Sequence, residues 1–334
     1  AGHFFYQSLI MYHTWRRSFA RCSTPIALTI GNFDGVHLGH QAILRRLKQV
    51  AKNLDIPACV MTFEPHPREF FTPDHAPVRL TYLREKLLML NQLGVDYTHT
   101  YRFTKSFAKI TAEQFISQIL AQQLAVKWLL VGDDFRFGAG RKGDFSMLQA
   151  HSIQHGFEVE AMPSILIGGK RVSSTSIRQA LADSDLTTAQ RYLGRPYSLT
   201  GRVIKGEQLG REIGFPTANI AIHRHRPKLT GIFAVAVHGA VDTSPTTVLP
   251  AVASLGVRPT VYENGQLLLE VHLFDFKQNI YGKQLQVDFL YKLRDEEKFS
   301  DLATLTEKIK LDVDQAKKFF LTQPIDASRL CNAS

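Results

Sequence analysis

The feature that most constrains the fold is a change of sequence pattern near Gly194. From Ile26 to about Asp185, short apolar runs alternate with segments of helical periodicity, which is typical of an α/β domain with a parallel sheet. After Tyr192, strand-like runs follow one another with turn signals between them, which favours a small antiparallel β-barrel or sandwich. A chain of 334 residues also exceeds what one hydrophobic core usually supports. The sequence therefore predicts two domains of different classes.

The first domain is predicted to begin with a βαβ unit. Ile26 to Ile30 and Ala58 to Phe63 have the composition of buried strands, and between them apolar residues recur at helical spacing from about Leu38 to Asn53. A capping box at Thr111 predicts a helix through Leu124, which leads into a strand from Trp128 to Val131. This order predicts parallel strands joined by crossover helices.

The second domain is predicted to consist of strands and one terminal helix. The turn at Gly194 to Pro196 marks its boundary. The predicted strands are Ser198 to Ile204, Ile232 to Val237, Ala251 to Leu255, Leu267 to Phe276 and Leu285 to Leu293. One face of the terminal helix is apolar and is expected to pack against the strands; it consists of Leu302, Leu305, Ile309, Val313, Ala316 and Phe320.

Composition restricts the kind of partner. No stretch approaches the ~20 consecutive apolar residues that cross a bilayer, so no membrane partner is expected. The three cysteines are far apart and lack metal-ligand spacing, which favours a cytoplasmic location without structural zinc. The net charge of +10 suits an anionic partner, and the lack of a basic run interleaved with aromatics favours small phosphate-bearing substrates over nucleic acid. Residues 1–25 are interpreted as a basic N-terminal extension, with a transit peptide as the alternative.

The segment Gly31 to His40, which reads G-N-F-D-G-V-H-L-G-H, lies where the first strand ends and the first helix begins. In an open parallel sheet ligands bind at this edge, and a helix N-terminus presents N–H groups and partial positive charge to a phosphate. His37 and His40 are three residues apart, so a first helical turn places both on one face, where both can hydrogen-bond one polyphosphate. Gly39 leaves room for a close approach. Since the chain has no P-loop motif, the histidines are the predicted phosphate ligands.

A lone histidine in such a segment is more often an ordinary surface residue, but a pair directly after a strand and a glycine-flanked turn favours a site. The segment resembles the H-x-G-H nucleotidyltransferases, and the bacterial FAD synthetases in particular. The resemblance continues at Phe63 to Pro67, at Val131 to Gly138 and at Ser173 to Arg178, which reads S-S-T-S-I-R. It implies a Rossmann-like domain in which the phosphate of FMN attacks the α-phosphate of ATP and expels pyrophosphate.

The resemblance also implies roles for individual residues of the first domain. Ser174 and Thr175, read as bare sequence, are more often a simple helix cap. The residues implied to bind ATP or its phosphates are Gly31, Asn32, Phe33, Asp34, Gly39, Ser174 and Thr175. Those implied in catalysis are His37 and His40, which stabilise charge on the nucleotide phosphates, and Arg178, which neutralises the leaving pyrophosphate, while Asp134 is implied in flavin binding.

The segment Gly210 to Asn219 is the candidate site of the second domain. Gly210 and Gly214 allow a mobile loop, and a proline then presents the hydroxyl of Thr217 and the amide of Asn219. Oxygen ligands suit Mg²⁺, which binds few protein groups and completes its shell with water and ATP phosphates. From pattern alone, a Gly/Pro-rich turn between strands is the simpler interpretation.

This segment resembles the P-T-A-N signature of riboflavin kinases, a small β-barrel family that is compatible with the stretch from about Tyr197 to Phe320. The resemblance implies that Thr217 and Asn219 hold Mg²⁺ and that Gly210 and Gly214 contact ATP. Two further segments, Leu255 to Thr260 and Leu293 to Phe299, resemble parts of the family that meet the flavin, which implies contacts at Gly256, Arg258 and Arg294. Arg258 stands where the family commonly has asparagine, so its role stays open.

Glu270 is the candidate catalytic base of the second domain. It interrupts an apolar strand, and alternation places it on the face of His272 and Phe274. Pattern alone is equally consistent with an exposed sheet face. The resemblance decides for a base, because the riboflavin kinases carry their catalytic glutamate at this point. It implies that Glu270 takes the proton of the riboflavin 5′-hydroxyl as this oxygen attacks the γ-phosphate of ATP.

Together these observations predict a bifunctional flavin enzyme with riboflavin, FMN, FAD and ATP as ligands. Residues 26–186 are expected to carry adenylyl transfer and residues 197–322 the kinase, with a linker at 187–196 and a tail at 323–334. One alternative is an adenylyltransferase for another phosphorylated metabolite, with the β domain serving only to bind. A basic nucleic-acid-binding protein is the other alternative. The sequence does not indicate an oligomeric state.

Overall fold

The computed structural model describes residues 24–206, 209–222, 229–242, 247–257, 267–299 and 301–325. These residues form two compact units, which divide between Ser174 and Thr175. The first contains a five-stranded sheet and the second a closed six-stranded barrel. The predicted pair of domain classes is therefore confirmed. The predicted extension at 1–25 and tail at 323–334 lie almost entirely outside the described residues.

The first unit consists of strands joined by crossover helices. Its strands are β1 (Ile26–Ile30), β2 (Ala58–Glu64), β3 (Tyr97–Arg102), β4 (Val126–Gly132), β5 (Glu158–Met162) and the hairpin of β6 (Leu166–Ile167) and β7 (Lys170–Arg171). Its helices are α1 (Leu38–Leu54), α2 (Pro67–Phe71), α3 (Leu83–Gln92), α4 (Ala112–Gln114) and α5 (Phe145–His155). The three strands and the crossover helix that were predicted here are all present.

The order of the strands determines where a ligand can bind. The order is β3-β2-β1-β4-β5, and all neighbouring strands are parallel. Helix α1 connects β1 to β2, which confirms the predicted βαβ unit. The chain builds the sheet outward from β1 on one side and then places β4 on the other side, so the order reverses between β1 and β4. In open α/β sheets, ligands bind beyond the carboxyl ends of the strands at such a point.

Both faces of this sheet are covered by apolar side chains. Along β1, Leu28 and Ile30 belong to one buried cluster and Ala27 belongs to another, because successive side chains point to opposite faces. Leu44 and Leu47 of α1 complete the second cluster. This two-sided cover explains why every residue of β1 is buried.

The helix predicted from Thr111 to Leu124 begins as expected but then changes type. The amide of Gln114 donates to the Thr111 hydroxyl at 3.2 Å, and the Thr111 amide donates to the Gln114 side chain at 3.0 Å, which is the predicted capping box. After α4 the chain continues as a π-helix over Phe115–Gln123. The apolar spacing predicts a helix at this place but does not distinguish the wider turn.

The second unit is a barrel with helices before and after it. Its strands are β8 (Tyr197–Ile204), β9 (Ala218–Ala221), β10 (Gly231–His238), β11 (Val248–Val257), β12 (Leu267–Leu273) and β13 (Gln284–Arg294). Its helices are α6 (Ser174–Ala182), α7 (Leu186–Leu193), α8 (Leu209–Glu212) and α9 (Leu302–Thr322). The first residue of α6 still belongs to the first unit. The strands pair antiparallel and close in the order β10-β11-β12-β9-β8-β13. This confirms a small antiparallel barrel followed by a terminal helix.

The described barrel has one strand more than the sequence predicts. Strand β9 begins at Ala218, at the end of the Gly210 to Asn219 segment, and continues to Ala221. Pattern alone favours a turn for that segment. The strand pairs with β12 on one side and with β8 on the other. Its run of A-N-I-A is too short to show a strand period, so its place in the barrel was missed.

Strand β12 confirms the predicted alternation. Leu269, Val271 and Leu273 are buried, whereas Glu270 and His272 are half-buried on the other face. The strand ends at Leu273 and not at the predicted Phe276, because the chain turns there and Asp275 has a φ of 53°.

Two helices cover the barrel. In α9, Val313 and Ala316 pack in one cluster with Ala234 and Val252 of the barrel, whereas Leu302, at the start of the predicted apolar face, is 49% exposed. The prediction for α9 is therefore right for the C-terminal part of that face and wrong at Leu302. The stretch 187–196, predicted as a linker, is mostly the helix α7, which contacts β8 and β13.

Candidate active sites

The segment Gly31 to His40 forms a tight turn between β1 and α1. Phe33 and Val36 have φ angles of 47° and 40°, and Gly35 has a φ of 85°. Residues with side chains seldom adopt such angles, and they persist where the surrounding structure holds them, often at ligand sites. The turn leaves the carboxyl end of β1, beside the point where the strand order reverses.

Asp34 fastens this turn to the loop before α3. Its buried carboxylate accepts the amide of Leu80 at 2.9 Å and the amide of Thr81 at 2.9 Å. The Thr81 hydroxyl in turn accepts the amide of Gly35 at 2.9 Å. A carboxylate held in this way would repel a phosphate, so Asp34 shapes the turn.

His37 and His40 are neighbours, as the spacing predicts. His37 is the N-cap of α1 and its Nδ1 accepts the amide of His40 at 3.4 Å. A neutral His37 ring therefore carries its proton on Nε2, which makes that nitrogen a donor. The two rings stack with centroids 3.7 Å apart and an angle of 16° between their planes. His37 thus caps the helix, whereas the sequence placed both histidines within the first turn.

The surroundings of His40 keep it neutral and leave it in need of a partner. Burial lowers the pKa of His40 well below its ordinary value, and the charges of His37 and Lys86 lower it further. Its Nδ1 is buried with no hydrogen-bond partner among the described residues. The side-chain oxygen of Asn32, in the same turn, is also buried and unpaired within those ranges. Two buried, unsatisfied polar atoms in one turn are unusual in native structures and mark the turn as a candidate site.

The two other glycines of the motif have packing reasons. A Cβ at Gly39 would lie 3.1 Å from the His37 ring and 3.6 Å from the carbonyl oxygen of Val172. A Cβ at Gly31 would lie 3.1 Å from the ring of Phe33, which is buried. Gly39 therefore permits the stacked position of His37, and Gly31 and Phe33 form the floor of the turn.

Lys86 is a residue of this region that the sequence did not reveal. It is 4% exposed and lies four residues before Leu90 on the same face of α3, and Leu90 packs in one cluster with Phe33 and Val36 of the turn. Burial lowers the pKa of Lys86, while Asp34 is the largest influence that raises it. A lysine in an apolar helix run gives no local signal, because only the fold brings it to the turn.

The acidic neighbours of Lys86 already bind other groups. Asp34 accepts backbone amides, as described above. Glu64 accepts two hydrogen bonds from Arg79, at 2.7 and 2.9 Å, and Glu69 also pairs with Arg79. The acidic neighbours of Lys86 therefore also bind other donors and neutralise its charge only in part. A buried lysine with a shifted pKa in such surroundings is a candidate functional residue.

The remaining predicted residues of this domain lie on α6 and after β4. The Ser174 hydroxyl donates to the carbonyl oxygen of Asp34 at 2.8 Å, and both residues belong to the first unit. Thr175 is exposed, and Arg178 is half-buried one turn further along α6. The Asp134 carboxylate pairs with Arg171 at 2.7 Å, and both side chains are exposed.

An aromatic surface near the carboxyl ends of β2 and β3 was also missed. Phe70, Phe71 and Phe103 contact one another edge to face, with centroids 5.3 to 5.5 Å apart. Phe71 is 62% exposed. An exposed ring in such a cluster offers a platform to a planar ligand. Phe70 and Phe71 lie on α2 and Phe103 directly follows β3, so no sequence period connects the three rings.

In the second unit three of the candidate residues, Asn219, Glu270 and Arg294, lie in one row across the barrel, here called the kinase row. Strand pairing places Asn219 opposite Glu270, Glu270 opposite Ser254, and Ser254 opposite Ile232. The row ends at Arg294, opposite Ile232 on β13. Residues opposite one another in antiparallel strands point to the same face. Strand register, which single-strand patterns do not contain, brings these five residues together.

A cavity of about 250 Å³ opens over the kinase row. Its polar wall includes Thr217, Glu270 and His272. His272 donates its Nδ1 proton to the carbonyl oxygen of Pro216 at 2.9 Å, which holds the P-T-A-N segment against β12. The apolar wall consists of Ile213, Phe215, Ile232, Val252, Phe299, Leu305 and Ile309. Such a cavity suits a large, mostly apolar ligand with one reactive polar end.

The predicted metal ligands present oxygen atoms near Glu270. Asn219 is 9% exposed, and a Cβ at Gly206 would overlap its amide, so this glycine makes room for the side chain. A Cβ at Gly210 would lie 3.1 Å from the Thr217 hydroxyl. Gly214 has a φ of 88°, which requires glycine. The donor set of hydroxyl and amide oxygens fits a hard cation such as Mg²⁺.

Arg294 has a positioning role in this structure. Its Nε and Nη2 each donate to the Asp312 carboxylate at 2.8 Å, and this pairing raises the pKa of Arg294. The guanidinium also lies over the ring of Phe299, 5.7 Å from its centroid. Arg294 therefore ties the segment 294–299 to α9 at the cavity wall. Arg258, the other arginine implied in flavin binding, lies outside the described residues.

The Glu296 carboxylate lies against Gly256, in the space where a flavin contact with Gly256 was expected. The Ser254 hydroxyl donates to the Glu296 carboxylate at 3.4 Å, and a Cβ at Gly256 would overlap that carboxylate. Nothing in the run D-E-E-K distinguishes Glu296 from its neighbours, so this residue could not be selected from local pattern.

A turn with two stacked histidines at the reversal point of a parallel sheet, followed by a barrel that carries a carboxylate beside hydroxyl and amide side chains, fits a two-module ATP-dependent transferase. Residues 20–176 match the FAD synthetase family and residues 193–320 match the riboflavin kinase family. The chain belongs to the bifunctional riboflavin kinase/FMN adenylyltransferase family.

Relatives match over nearly their whole length. The Escherichia coli K12 bifunctional riboflavin kinase/FMN adenylyltransferase is 48% identical over 298 residues, which cover 89% of this chain and 94% of that protein. The Haemophilus influenzae protein of the same description is 49% identical, covering 88% and 94%.

A solved structure described as a macrolide-efflux protein from Streptococcus pneumoniae superposes with a TM-score of 0.73 at 29% identity, covering 89% of this chain and 95% of that chain. The efflux function in that description is a property of that protein alone. In this chain, none of the described helices has the length and apolar character that crossing a membrane requires.

Proposed function

We propose that the chain makes FAD from riboflavin in two successive ATP-dependent steps. The barrel phosphorylates riboflavin to FMN, and the parallel-sheet domain transfers AMP from ATP to FMN with release of pyrophosphate. The observation that carries this proposal is the presence, in one chain of this family, of both the stacked His37 and His40 turn and the kinase row around Glu270. We assign residues 26–186 to adenylyl transfer and residues 197–322 to the kinase.

Adenylyl transfer needs charge neutralisation and alignment. The attacking FMN phosphate is already an anion, so no base is required, and the protein contributes by positioning the reactants. His37 donates from Nε2 and His40 from its buried ring to the nucleotide phosphates, while Lys86 adds a positive charge. Thr175 and Arg178, assigned through the S-S-T-S-I-R signature, bind the leaving pyrophosphate.

The flavin ring of FMN needs an apolar surface in the same domain. We assign this role to the cluster of Phe70, Phe71 and Phe103, because Phe71 presents an exposed ring beside two others. Aromatic faces stack on planar ligands with little loss of side-chain freedom. Asp134, held by Arg171, lies after β4 and is the candidate for a polar flavin contact.

Riboflavin phosphorylation needs a base, because its nucleophile is a neutral hydroxyl. Glu270 takes the 5′-hydroxyl proton while the oxygen attacks the γ-phosphate of ATP and ADP leaves. Thr217 and Asn219 would hold Mg²⁺, which neutralises charge on the ATP phosphates when bound. The segment with Gly210 and Gly214 offers backbone amides to those phosphates.

The deciding experiment is incubation of the full chain with riboflavin, ATP and Mg²⁺, with FMN and FAD separated by chromatography over time. FMN should appear first and FAD should follow, and chelation of Mg²⁺ should stop phosphorylation of riboflavin. Production of FMN without FAD, or turnover of supplied FMN without any phosphorylation of riboflavin, would overturn the two-step assignment. We place the reaction in the cytoplasm, where ATP is abundant.

A further inference from the structure

The kinase row has a chemical order as well as a geometric one. From the amide of Asn219 the row passes the carboxylate of Glu270, the hydroxyl of Ser254 and the apolar Ile232, and it ends at Arg294. Neighbouring strands lie about 4.8 Å apart, so Ser254 is one strand and Ile232 two strands away from Glu270. A ligand stretched along the row therefore meets a metal ligand, a base, a hydroxyl and an apolar wall in that order.

Glu296 adds a second carboxylate to the middle of this row. It reaches in from the segment that follows β13, accepts the Ser254 hydroxyl at 3.4 Å, and lies against the Cα of Gly256, the next residue of β11 on the same face. The carboxylate lines the cavity together with Glu270. The missing side chain at Gly256 leaves the space that this carboxylate fills.

Riboflavin has the same order of groups along its length. Its 5′-hydroxyl must lie at Glu270 and beside the ATP phosphates, its flavin ring requires the apolar wall, and the remaining ribityl hydroxyls lie between these ends. We propose that Glu296, held by Ser254, accepts hydrogen bonds from these inner ribityl hydroxyls and so selects flavins with a polyhydroxylated side chain. This inference deepens the proposed kinase function and rests on it.

The surroundings of Glu296 support a role as an acceptor. Burial raises the pKa of Glu296, the Ser254 hydroxyl and Arg294 oppose the rise, and the charge of Glu270 adds to it. Arg294 is itself bound to Asp312, and the adjacent Glu297 lies 3.9 Å from Arg294 and from Lys308. Glu296 thus has one weak described donor, and hydroxyl donors from a substrate would satisfy it.

The test compares two substrates on the same full-length enzyme. One is riboflavin, and the other is a flavin whose ribityl chain is replaced by a 5-hydroxypentyl chain, which keeps the reacting hydroxyl and lacks the inner ones. The parent enzyme should phosphorylate riboflavin with a kcat/KM about 10- to 100-fold higher, which is typical of hydrogen bonds to a charged group. Glu296→Ala should lower kcat/KM for riboflavin by a similar factor and leave that for the hydroxypentyl flavin unchanged.

Two further variants separate this role from a general effect. Gly256→Ala should displace the Glu296 carboxylate, because the added Cβ would overlap it, and should cause the same selective loss. Gly256 does not have a left-handed φ, so alanine at this position does not strain the backbone. Glu297→Ala removes the neighbouring carboxylate of the same segment and should preserve the preference for riboflavin. Phosphorylation of the hydroxypentyl flavin by each variant reports whether the barrel is folded.

The preference for riboflavin over the hydroxypentyl flavin decides whether Glu296 contacts the ribityl hydroxyls. Loss of the preference in Glu296→Ala and Gly256→Ala, with retention in Glu297→Ala, supports the assignment. An equal loss for both flavins, or an unchanged preference, would overturn it, because Glu296 would then act on folding or on the reacting end. Failure of the parent enzyme to phosphorylate either flavin would instead refute the kinase function itself.

Discussion

The two proposed sites offer different chemical groups to the same co-substrate. The parallel-sheet module offers two stacked histidines and the buried Lys86 at a helix N-terminus, whereas the barrel offers a carboxylate beside hydroxyl and amide oxygens. The difference follows from the nucleophiles. The FMN phosphate is already ionised when it attacks ATP, so a carboxylate beside it would only repel it. The riboflavin hydroxyl must lose a proton, so a base is required.

The modules also differ in how their sites are assembled. His37 and His40 are close in sequence and the turn between β1 and α1 brings them together, so the motif contains most of the site. The barrel site consists of residues from five strands that meet only through register. The first site is therefore sensitive to local changes in one turn, and the second to any change that shifts the strands.

The largest expected effect is that of Glu270→Gln on the kinase. The substitution keeps the size of the side chain and removes its ability to accept the hydroxyl proton, so FMN formation should fall by about 10²- to 10⁴-fold. Adenylylation of supplied FMN should be unaffected. The two rates are measured separately in one preparation, which makes each module the folding control for the other. A Glu270→Gln enzyme that retains its kinase rate would remove the contrast between the sites.

The reverse dissection uses His40→Ala. Loss of a donor that stabilises developing charge on the phosphates should lower FAD formation by about 10²- to 10³-fold, while FMN formation from riboflavin continues. Accumulation of FMN, followed by chromatography, is the direct readout. A matched control is His151→Ala, on helix α5, which should retain both rates. Equal loss of both activities in His40→Ala would show that the histidine supports the fold instead.

Sequence reasoning succeeded where function and local structure coincide. The strand, turn and helix around His37 could be predicted with their bounds, because periodicity and a glycine-rich turn are local signals. Alternation placed Glu270 on the correct face of β12, although its proposed role as a base came from family resemblance. Thr217 and Asn219 were selected as ligands, but the strand β9 that carries Asn219 was not, because four residues show no period.

What the sequence could not reveal depends on contacts between distant residues. Asp34 and Arg294 were assigned to ligands, yet their charged groups hold backbone amides of the loop at 80–81 and Asp312. Such partners are chosen by the tertiary fold. Lys86 and Glu296 were overlooked for the same reason, since a lysine in a helix and a glutamate in an acidic run look ordinary until burial and neighbours are known.

A smaller effect tests whether Lys86 is part of the phosphate site. Lys86→Met keeps the shape of the buried chain and removes its charge, so we expect kcat/KM for ATP in adenylylation to fall by about 10- to 100-fold. In the reverse reaction, the KM for pyrophosphate should rise. The exposed Lys52 of α1 gives the matched control, Lys52→Met, with unchanged kinetics. Loss of thermal stability without a change in either kinetic constant would assign Lys86 to structure alone.

The smallest expected effect concerns pH, and its sign should differ between the modules. The pKa of folded His40 lies below its ordinary value of 6.5, so below about pH 6.5 the unfolded chain binds a proton that the folded module does not, and this group destabilises the parallel-sheet module as the pH falls. The pKa of folded Glu296 lies above its ordinary value of 4.5, so the folded barrel binds the proton more readily and this group stabilises the barrel as the pH falls toward 4.5.

Hydrogen exchange on the full chain can separate the two contributions, because peptides from α1 and β12 report on different modules. Compared with the parent at each pH, His40→Gln should become relatively more protected in α1 as the pH falls from 7 toward 5. Glu296→Gln should become relatively less protected in β12 as the pH falls toward 4.5. Comparison at equal pH cancels the intrinsic exchange rates. If both differences had the same sign, the electrostatic contrast between a buried neutral imidazole and a crowded carboxylate would be wrong, even if both catalytic assignments held.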